Sequence, residues 1–344
     1  MSTSIEVKTD ANEVAAAEMS KAHPLVSVVV EGYNELNDLG TANDTLDALA
    51  NQQYPLNLIE VILVGTSAQV EVWEKQFSDT QFSAVKPFAY DGIGYYEFKN
   101  LCLNVASGQV FAFTDSDVTP RSEWIKSGVE EIQKGAAAVV GPSLFQNEEW
   151  GPDTMLMRVA ASVSWGFVVG EDKGRGCLIA ANMLSHNVIF SADTFREFQF
   201  TTDYGRTCSP ALLYKTLIHS NRKVAFNPKQ QAAHSFTWKW WLFQYHYRLG
   251  YEIYRLRRLD ASYPNQWISK TKILEPVVTL MWHVLLDLPR WLRFSKALNE
   301  NPLRRWASFP LLVILSLIAH SSEMVGMYAT LANPEKMRQW AESA

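Results

Sequence analysis

An α/β fold, a mostly parallel sheet flanked by helices, is predicted by three observations. Continuous apolar, largely β-branched runs at residues 24–30 (PLVSVVV) and 58–64 (LIEVILV) read as strands buried on both faces. Helical patterns alternate with them at the spacing of βαβ units. A further apolar strand, VFAFT, ends in two aspartates, Asp115 and Asp117, and in open α/β sheets ligands bind at the carboxyl ends of strands.

Taken in order, the first strand leads through Gly32-Tyr33-Asn34-Glu35 into a helix carrying Leu39, Leu46 and Leu49 that stops near Tyr54-Pro55. The second strand is followed by a helical stretch at 70–77, and a short strand at 85–89 by Gly92, Gly94 and a helix over 98–106. After the strand of the aspartate pair comes a helix over 122–133, then a strand over 137–145 and a helix near 155–167. The segment GEDKGRGC, 170–177, reads as a loop rich in glycine and charge. A strand at 187–190, a helix at 212–218 and a strand at 223–226 precede His234, and 236–258 reads as one long aromatic helix. Neither G-x-G-x-x-G nor G-x-x-x-x-G-K-[ST] occurs, which disfavours a dinucleotide-binding dehydrogenase and a P-loop enzyme.

The chain of 344 residues, 47% hydrophobic and 12% aromatic, is ample for a large core. Cys102, Cys177 and Cys208 are too few and too scattered for a disulfide framework or a zinc site. Residues 1–23 lack the basic start and apolar run of a signal peptide and read as a disordered tail. Charge is uneven. Residues 1–214 hold 13 Lys and Arg against 28 Asp and Glu, a net of −15, while 215–344 hold 18 against 8, a net of +10. The basic half also carries most of the tryptophans and the long apolar runs, which suits an anionic membrane surface better than a nucleic acid, a solvated basic face being the alternative.

Two apolar stretches, 273–292 and 309–331, have about the length that spans a bilayer. Glu275, His283 and Asp287 interrupt the first, and His320 and Glu323 the second, and charges at such depth are expensive unless paired. Membrane association as a helical hairpin, or as helices lying in the interface, is therefore ranked above two spans. A soluble helical extension packed on the sheet domain is the alternative.

Alternate residues of an extended segment face the same way, so Asp115 and Asp117 are expected to point together. Two carboxylates so placed repel unless a cation sits between them. A hard divalent ion accepts such oxygens and keeps positions open for nucleotide phosphates. The plain alternative is a surface turn in which Asp117 solvates the loop before Thr119-Pro120.

In this order the chain resembles the family 2 glycosyltransferases of the GT-A, Rossmann-like fold. The matching pieces are VSVVVEGYNE (26–35), KNLCLNVASGQVFAFTDSD (99–117), NVIF (187–190), LLYKTLIHSNRKVAFNPKQQAAH (212–234) and QYHYRLG (244–250). The resemblance implies a glycosyltransferase domain over 24–258 that moves a sugar from a nucleotide diphosphate sugar, normally with inversion. Together with the disordered tail over 1–23 and the membrane-associated apolar helices over 259–344, it leads to the expectation of a membrane-associated enzyme facing the cytoplasm and acting on a lipid, polysaccharide or other envelope acceptor. By the same analogy Asp115 contacts the ribose or sugar side of the donor, Asp117 ligates Mg²⁺ or Mn²⁺, and His234 completes the metal site. Arg248 assists at the diphosphate, a guanidinium fork being suited to phosphate oxygens.

For the remaining residues two readings stand side by side. Gln244 and Arg248, four apart on one helix face, either meet the donor or form an interfacial face or a cap on the sheet. Lys99 and Asn100 either lie at the donor or cap and solvate their helix, and Asn34 and Glu35 either touch the nucleotide base or shape the first turn. The chain departs from the family twice. The acidic turn after the second strand is Val64-Gly65-Thr66-Ser67, and the Glu-Asp pair that supplies the general base aligns with Ser209-Pro210. Asp203, Glu171 and Asp172 are the substitute carboxylates considered. The other accounts are an acceptor needing little activation and a non-catalytic nucleotide-sugar-binding or scaffold protein of the same fold.

Overall fold

The computed structural model of the chain describes residues 23–32, 42–76, 81–89, 94–147, 154–202 and 205–343. Most of the tail expected over 1–23 lies outside them.

The first half builds the parallel part of the sheet. Strand β1 (Val26–Glu31) is followed by helix α1 (Ala42–Ala50), β2 (Ile59–Gly65), α2 (Ser67–Gln76), β3 (Ala84–Ala89), α3 (Tyr95–Leu101) and β4 (Val110–Asp115). Every residue of β1, β2 and β4 is buried, because helices cover both faces. In β1, Val26, Val28 and Val30 enter one apolar cluster and Val29 the other, as the two-residue period of a strand requires. Glu60 of β2 anchors the entry to β4. Its carboxylate accepts from Ser107 N at 2.5 Å and Gly108 N at 3.1 Å, and Lys86 Nζ lies 2.6 Å away.

Beyond β4 the chain makes β5 (Val118–Pro120), α4 (Trp124–Gln133), β6 (Ala138–Val140), β7 (Ser143–Gln146) and α5 (Met155–Trp165). The single strand expected over 137–145 is two strands in two sheets. The chain turns at Gly141-Pro142, where Asn187 Nδ2 donates to both carbonyls at 3.2 Å. The segment expected as a loop over 170–177 is a hairpin of β8 (Val169–Asp172) and β9 (Cys177–Ala180). Then follow β10 (Val188–Ser191), α6 (Ala192–Glu197), α7 (Ser209–His219), β11 (Val224–Phe226) and β12 (Ala232–Ser235). The main sheet has the order β11-β6-β10-β4-β1-β2-β3, parallel except for β10, which runs antiparallel to both neighbours. A second sheet, β5-β12-β7, sits at the carboxyl end of β4. The result is the mostly parallel, helix-flanked sheet that the sequence predicts.

The long aromatic helix expected over 236–258 is interrupted. A π-helical turn, Trp240–His246, precedes α8 (Tyr247–Leu259). The C-terminal region is helical: α9 (Glu275–Ala297), α10 (Pro302–Ala307), α11 (Phe309–Ala332) and α12 (Pro334–Ser343). Among the described residues α11 alone is long and apolar enough to cross a membrane, and 39% of its apolar window is buried in the protein. Of the groups that interrupt the two apolar stretches, His283, Asp287, His320 and Glu323 pair with one another, and Glu275 pairs with Arg257 and Arg258. His283 meets Glu323 at 2.8 Å, and His320 meets Asp287 at 2.8 Å. The exposed side of α9 and α11 is apolar instead, with Met281, Leu285 and Ile314 all more than half exposed. Helices α8 and α11 cross at glycines. A Cβ on Gly250 would lie 2.1 Å from Glu323 O, and one on Gly326 2.1 Å from Tyr247 O.

Candidate active site

The carboxyl ends of β1 and β4 bring acidic residues together. Register pairs Glu31 with Asp115, and the chain then turns through Ser116 and Asp117 into β5. The two aspartates engage different partners. Asp115 takes Lys99 Nζ at 2.5 Å on one oxygen and Tyr95 Oη at 2.6 Å on the other. Tyr95 and Lys99 are four residues apart on α3, one turn of one helix face. Burial alone would raise the Asp115 pKa, but the Lys99 ammonium outweighs it and holds the carboxyl below its ordinary value. Glu31 is shifted the other way, well above the usual carboxylate range, by burial first and by the neighbouring Asp115 second.

Asp117 faces β12. The antiparallel β5–β12 pairing sets His234 opposite Val118, with Ser235 N donating to Asp117 O at 2.9 Å. This places His234 Nε2 3.3 Å from Asp117 Oδ2, both side chains being almost wholly buried. The other ring nitrogen, Nδ1, is 2.7 Å from the Ser235 carbonyl, which can only accept, so Nδ1 carries a proton. A ring with no second proton would turn a lone pair from Nε2 toward a carboxylate oxygen. Two acceptors at this distance are stable only with a proton or a cation between them. Neighbouring oxygen and nitrogen ligands of an ion with bonds of about 2.1 Å stand roughly 3 Å apart. The donor set thus fits a divalent ion.

A cavity opens beside this pair, lined by residues from several segments of the chain. Tyr95 and Asp115 form its floor with Ser185 and His186, while Arg206, Thr207 and Pro210 form one wall. The other wall is His234, Trp240, Gln244, Tyr245 and Arg248. Trp240 packs on His234 with ring centroids 4.5 Å apart and stacks on Tyr245 at 5.5 Å. The Arg206 guanidinium lies 4.1 Å over the Tyr95 ring. Its loop is fixed from below, because Glu252 of α8 accepts from the backbone N–H of Arg206, Thr207 and Cys208 at 3.0, 2.7 and 3.1 Å. Gly205 makes that turn possible: its φ is +85°, and a Cβ there would meet the Glu252 carboxyl at 2.8 Å. His186, 3.0 Å from Ser143 Oγ, has its pKa pushed down to about 3, by burial first and then by nearby His234, so it is neutral.

Of the residues singled out in the sequence, Asp115, His234, Gln244 and Arg248 line this cavity, with Lys99 behind Asp115 and Asp117 behind His234. Asn100 instead clasps the backbone of Phe200, donating to its carbonyl at 2.8 Å and accepting from its N–H at 3.2 Å. Glu171 pairs with Lys296 at 2.8 Å on the β8–β9 hairpin, and Asp172 caps the same hairpin by accepting from Gly174 N at 2.9 Å. Neither lines the cavity. Asn34, Glu35 and Asp203 lie outside the described residues. Ser209 donates to Thr201 O at 2.6 Å, and Pro210 reaches the cavity wall. Sequence reasoning passed over Tyr95, His186 and Arg206. The four-residue spacing of Tyr95 and Lys99 was a usable signal; for Arg206 and His186 there was none, because their place depends on loops closing over the sheet.

Comparison with known proteins was made on this basis. Residues 27–200, about half the chain, match the profile of the family described as Glycosyl transferase family 2. Glycosyltransferase AglE of Haloferax volcanii is 30% identical over 125 residues, which are 36% of this chain and 40% of AglE. The match thus spans less than half of that relative. Among solved structures, a mannosyltransferase from Pyrobaculum calidifontis, PcManGT in complex with GDP-Man and Mn²⁺, superposes with a TM-score of 0.52 at 16% identity. The superposition covers 91% of this chain and 88% of that one.

Proposed function

The chain belongs to glycosyltransferase family 2, with the GT-A fold, and from that premise we propose metal-assisted transfer of a sugar from a nucleotide diphosphate sugar, with inversion at the anomeric carbon. The observation that carries the reading is the His234–Asp117 pair, a nitrogen and a carboxylate oxygen 3.3 Å apart, with His234 lining the cavity and Asp117 behind it. Asp117 and His234 would hold Mn²⁺ or Mg²⁺, the nitrogen ligand favouring Mn²⁺. When bound, the ion neutralises charge that develops on the leaving diphosphate.

The remaining roles belong to the protein's own side chains. Asp115, kept ionised by Lys99, accepts hydrogen bonds from the ribose or sugar hydroxyls of the donor. Arg206 and Arg248 stand at the cavity as guanidinium groups suited to phosphate oxygens, and Gln244 orients the same group. Trp240 and Tyr245 present ring faces that shield the site from water. Pro210 occupies the position where a carboxylate base is usual in the family, so the proton of the acceptor hydroxyl is assigned to Asp203, seven residues earlier in the sequence. Glu171 and Asp172, engaged on their hairpin, are the weaker candidates.

The acceptor is assigned to a lipid or an envelope glycan at a membrane surface, with residues 259–344 as the attachment and the catalytic domain on the cytoplasmic side. Support comes from the outward apolar face of α9 and α11, whose polar residues turn inward. Helices of this kind lie in the interface with their apolar face in the acyl boundary. Mn²⁺-dependent binding of nucleotide diphosphates, followed by calorimetry, tests the reading together with turnover of a panel of sugar nucleotides. Asp117→Ala is expected to lower turnover by at least about 100-fold, the scale of losing a main electrostatic stabiliser, and to abolish the Mn²⁺ dependence. A variant that keeps both removes Asp117 from the mechanism.

A further inference from the structure

Away from the cavity, three helical elements bring three imidazoles onto one carboxylate. His246 Nδ1, from the π-helical turn, lies 2.8 Å from Glu323 Oε1. His283 Nδ1, from α9, lies 2.8 Å from Glu323 Oε2, and His320 Nδ1, from α11, lies 2.9 Å from the same oxygen. Ligand atoms of His246, His320 and Glu323 all fall within 4.8 Å of one another, and none of the three residues is more than 2% exposed. The close glycine crossing of α8 and α11 is what sets His246 beside Glu323.

Hydrogen bonding accounts for part of this cluster, since His246 and His283 are aligned to donate to the carboxylate. It does not account for His320, whose buried Nδ1 sits 2.9 Å from Oε2 without the alignment of a hydrogen bond. A buried nitrogen and oxygen this close, within 4.8 Å of a His246 ring nitrogen, are near enough to serve as neighbouring ligands of one ion. With bonds of about 2.0–2.1 Å, such neighbours in a tetrahedral shell stand roughly 3.3 Å apart.

The far nitrogens are also held as ligand imidazoles require. His320 Nε2 is 2.8 Å from Asp287 Oδ2, an oxygen that also accepts from Ser316 Oγ at 2.6 Å. His246 Nε2 is 3.2 Å from Ser164 Oγ, which in turn accepts from Trp241 Nε1 at 2.7 Å. Moving the His246 proton from Nδ1 to Nε2, where Ser164 Oγ accepts it, frees the inner nitrogen without loss of a proton. His246 ends a π-helical turn, a distortion that recurs where a helix must aim a side chain at a functional centre. A cavity of about 470 Å³ reaches His283, His320 and Glu323 and provides an entry path and a fourth coordination position.

We propose that His246, His320 and Glu323 bind a divalent transition ion, Zn²⁺ by the chemistry of two imidazoles and a carboxylate. His283 orients Glu323, and the ion fastens the C-terminal helices to the transferase domain. The site uses none of the residues assigned to donor binding and is independent of that reading.

The test is the metal content of the purified full-length chain after exhaustive dialysis, read by inductively coupled plasma mass spectrometry. One equivalent of zinc is expected in the wild type and in Asp117→Ala, and its loss in His320→Gln and in Glu323→Gln. Cobalt(II) replacing the zinc is expected to give the visible absorption of a four-coordinate centre, and chelation to lower the thermal unfolding midpoint. A folded wild-type chain that holds no zinc above the buffer blank and gives no such cobalt spectrum overturns the proposal. So does an equivalent lost in Asp117→Ala but kept in His320→Gln, which would place the ion in the donor cavity.

Discussion

Replacing Lys99 by methionine isolates the electrostatics on which the candidate donor site rests. Lys99 Nζ and Asp115 Oδ1 are 2.5 Å apart, with side chains 0% and 3% exposed. At an effective dielectric constant of about 20, unit charges at that separation attract by roughly 7 kcal/mol. Returning the lysine to water recovers part of this, and removing one partner of a buried pair destabilises by about 3–5 kcal/mol. Methionine keeps the apolar stem, so the loss is of charge rather than of packing. Lys99→Met is therefore expected to lower the unfolding free energy by about 3–5 kcal/mol and the melting temperature by roughly 4–7 °C. Urea and thermal unfolding followed by tryptophan fluorescence measure both. In the double variant Lys99→Met/Asp115→Asn the stranded charge is gone, and stability should recover above that of Lys99→Met alone. A single variant within about 1 kcal/mol of wild type, or a double variant no better than the single, refutes the view that Lys99 compensates Asp115.

Three further outcomes are expected. Glu60 titrates at about 2 in the folded chain: burial would raise it, but Lys86, Ser27 and Ser107 together outweigh that. Against an unfolded value of about 4.3, this depressed group contributes roughly 3 kcal/mol. The contribution is fully present above the unfolded value and is lost as pH falls toward 2. Glu60→Gln should remove that part of the acid dependence in unfolding titrations, and an unchanged acid limb would count against it. Asp203→Asn, if Asp203 is the base, should lower kcat by about 100-fold or more with little change in donor affinity, a general base contributing about 10²–10⁴-fold; full activity clears Asp203 of the role. Leu285→Glu combined with Ile314→Glu places charges on the outward apolar face. Sedimentation with anionic vesicles should weaken at least about tenfold, given about 1.5–3 kcal/mol for each buried aliphatic side chain lost, and undiminished binding would show that this face does not meet the membrane.

Much of the fold was legible in the chain because its signals are local. The uninterrupted runs around Val28 and Ile62 mark strands that helices must cover on both sides. Where local signals compete, the reading failed in specific ways. Residues 137–145 hold two apolar runs broken by Gly141-Pro142-Ser143, a turn signal that the single-strand reading passed over, and the Asn187 side chain, bonded to the Gly141 and Pro142 carbonyls, holds the chain where it passes between two sheets. The hairpin at 169–180 carries glycine and charge that resemble a loop, yet its backbone pairs from Val169 to Ala180. Residues 236–258 have a helical composition throughout, and nothing in a periodic pattern distinguishes an α from a π turn.

The sequence by itself determined the sheet of buried strands, the helices between them and the acidic couplet at the end of β4, since each follows from residue periodicity over a few turns or strands. The tertiary structure alone decided how the couplet divides, with Asp115 drawn to Lys99 on α3 and Asp117 to His234 on β12. It also decided that the polar groups in the apolar C-terminal helices face inward and pair across 29 to 77 positions of chain. Charge compensation depends on separation in space, which pairing of strands and crossing of helices set. Periodicity along the chain holds no record of it.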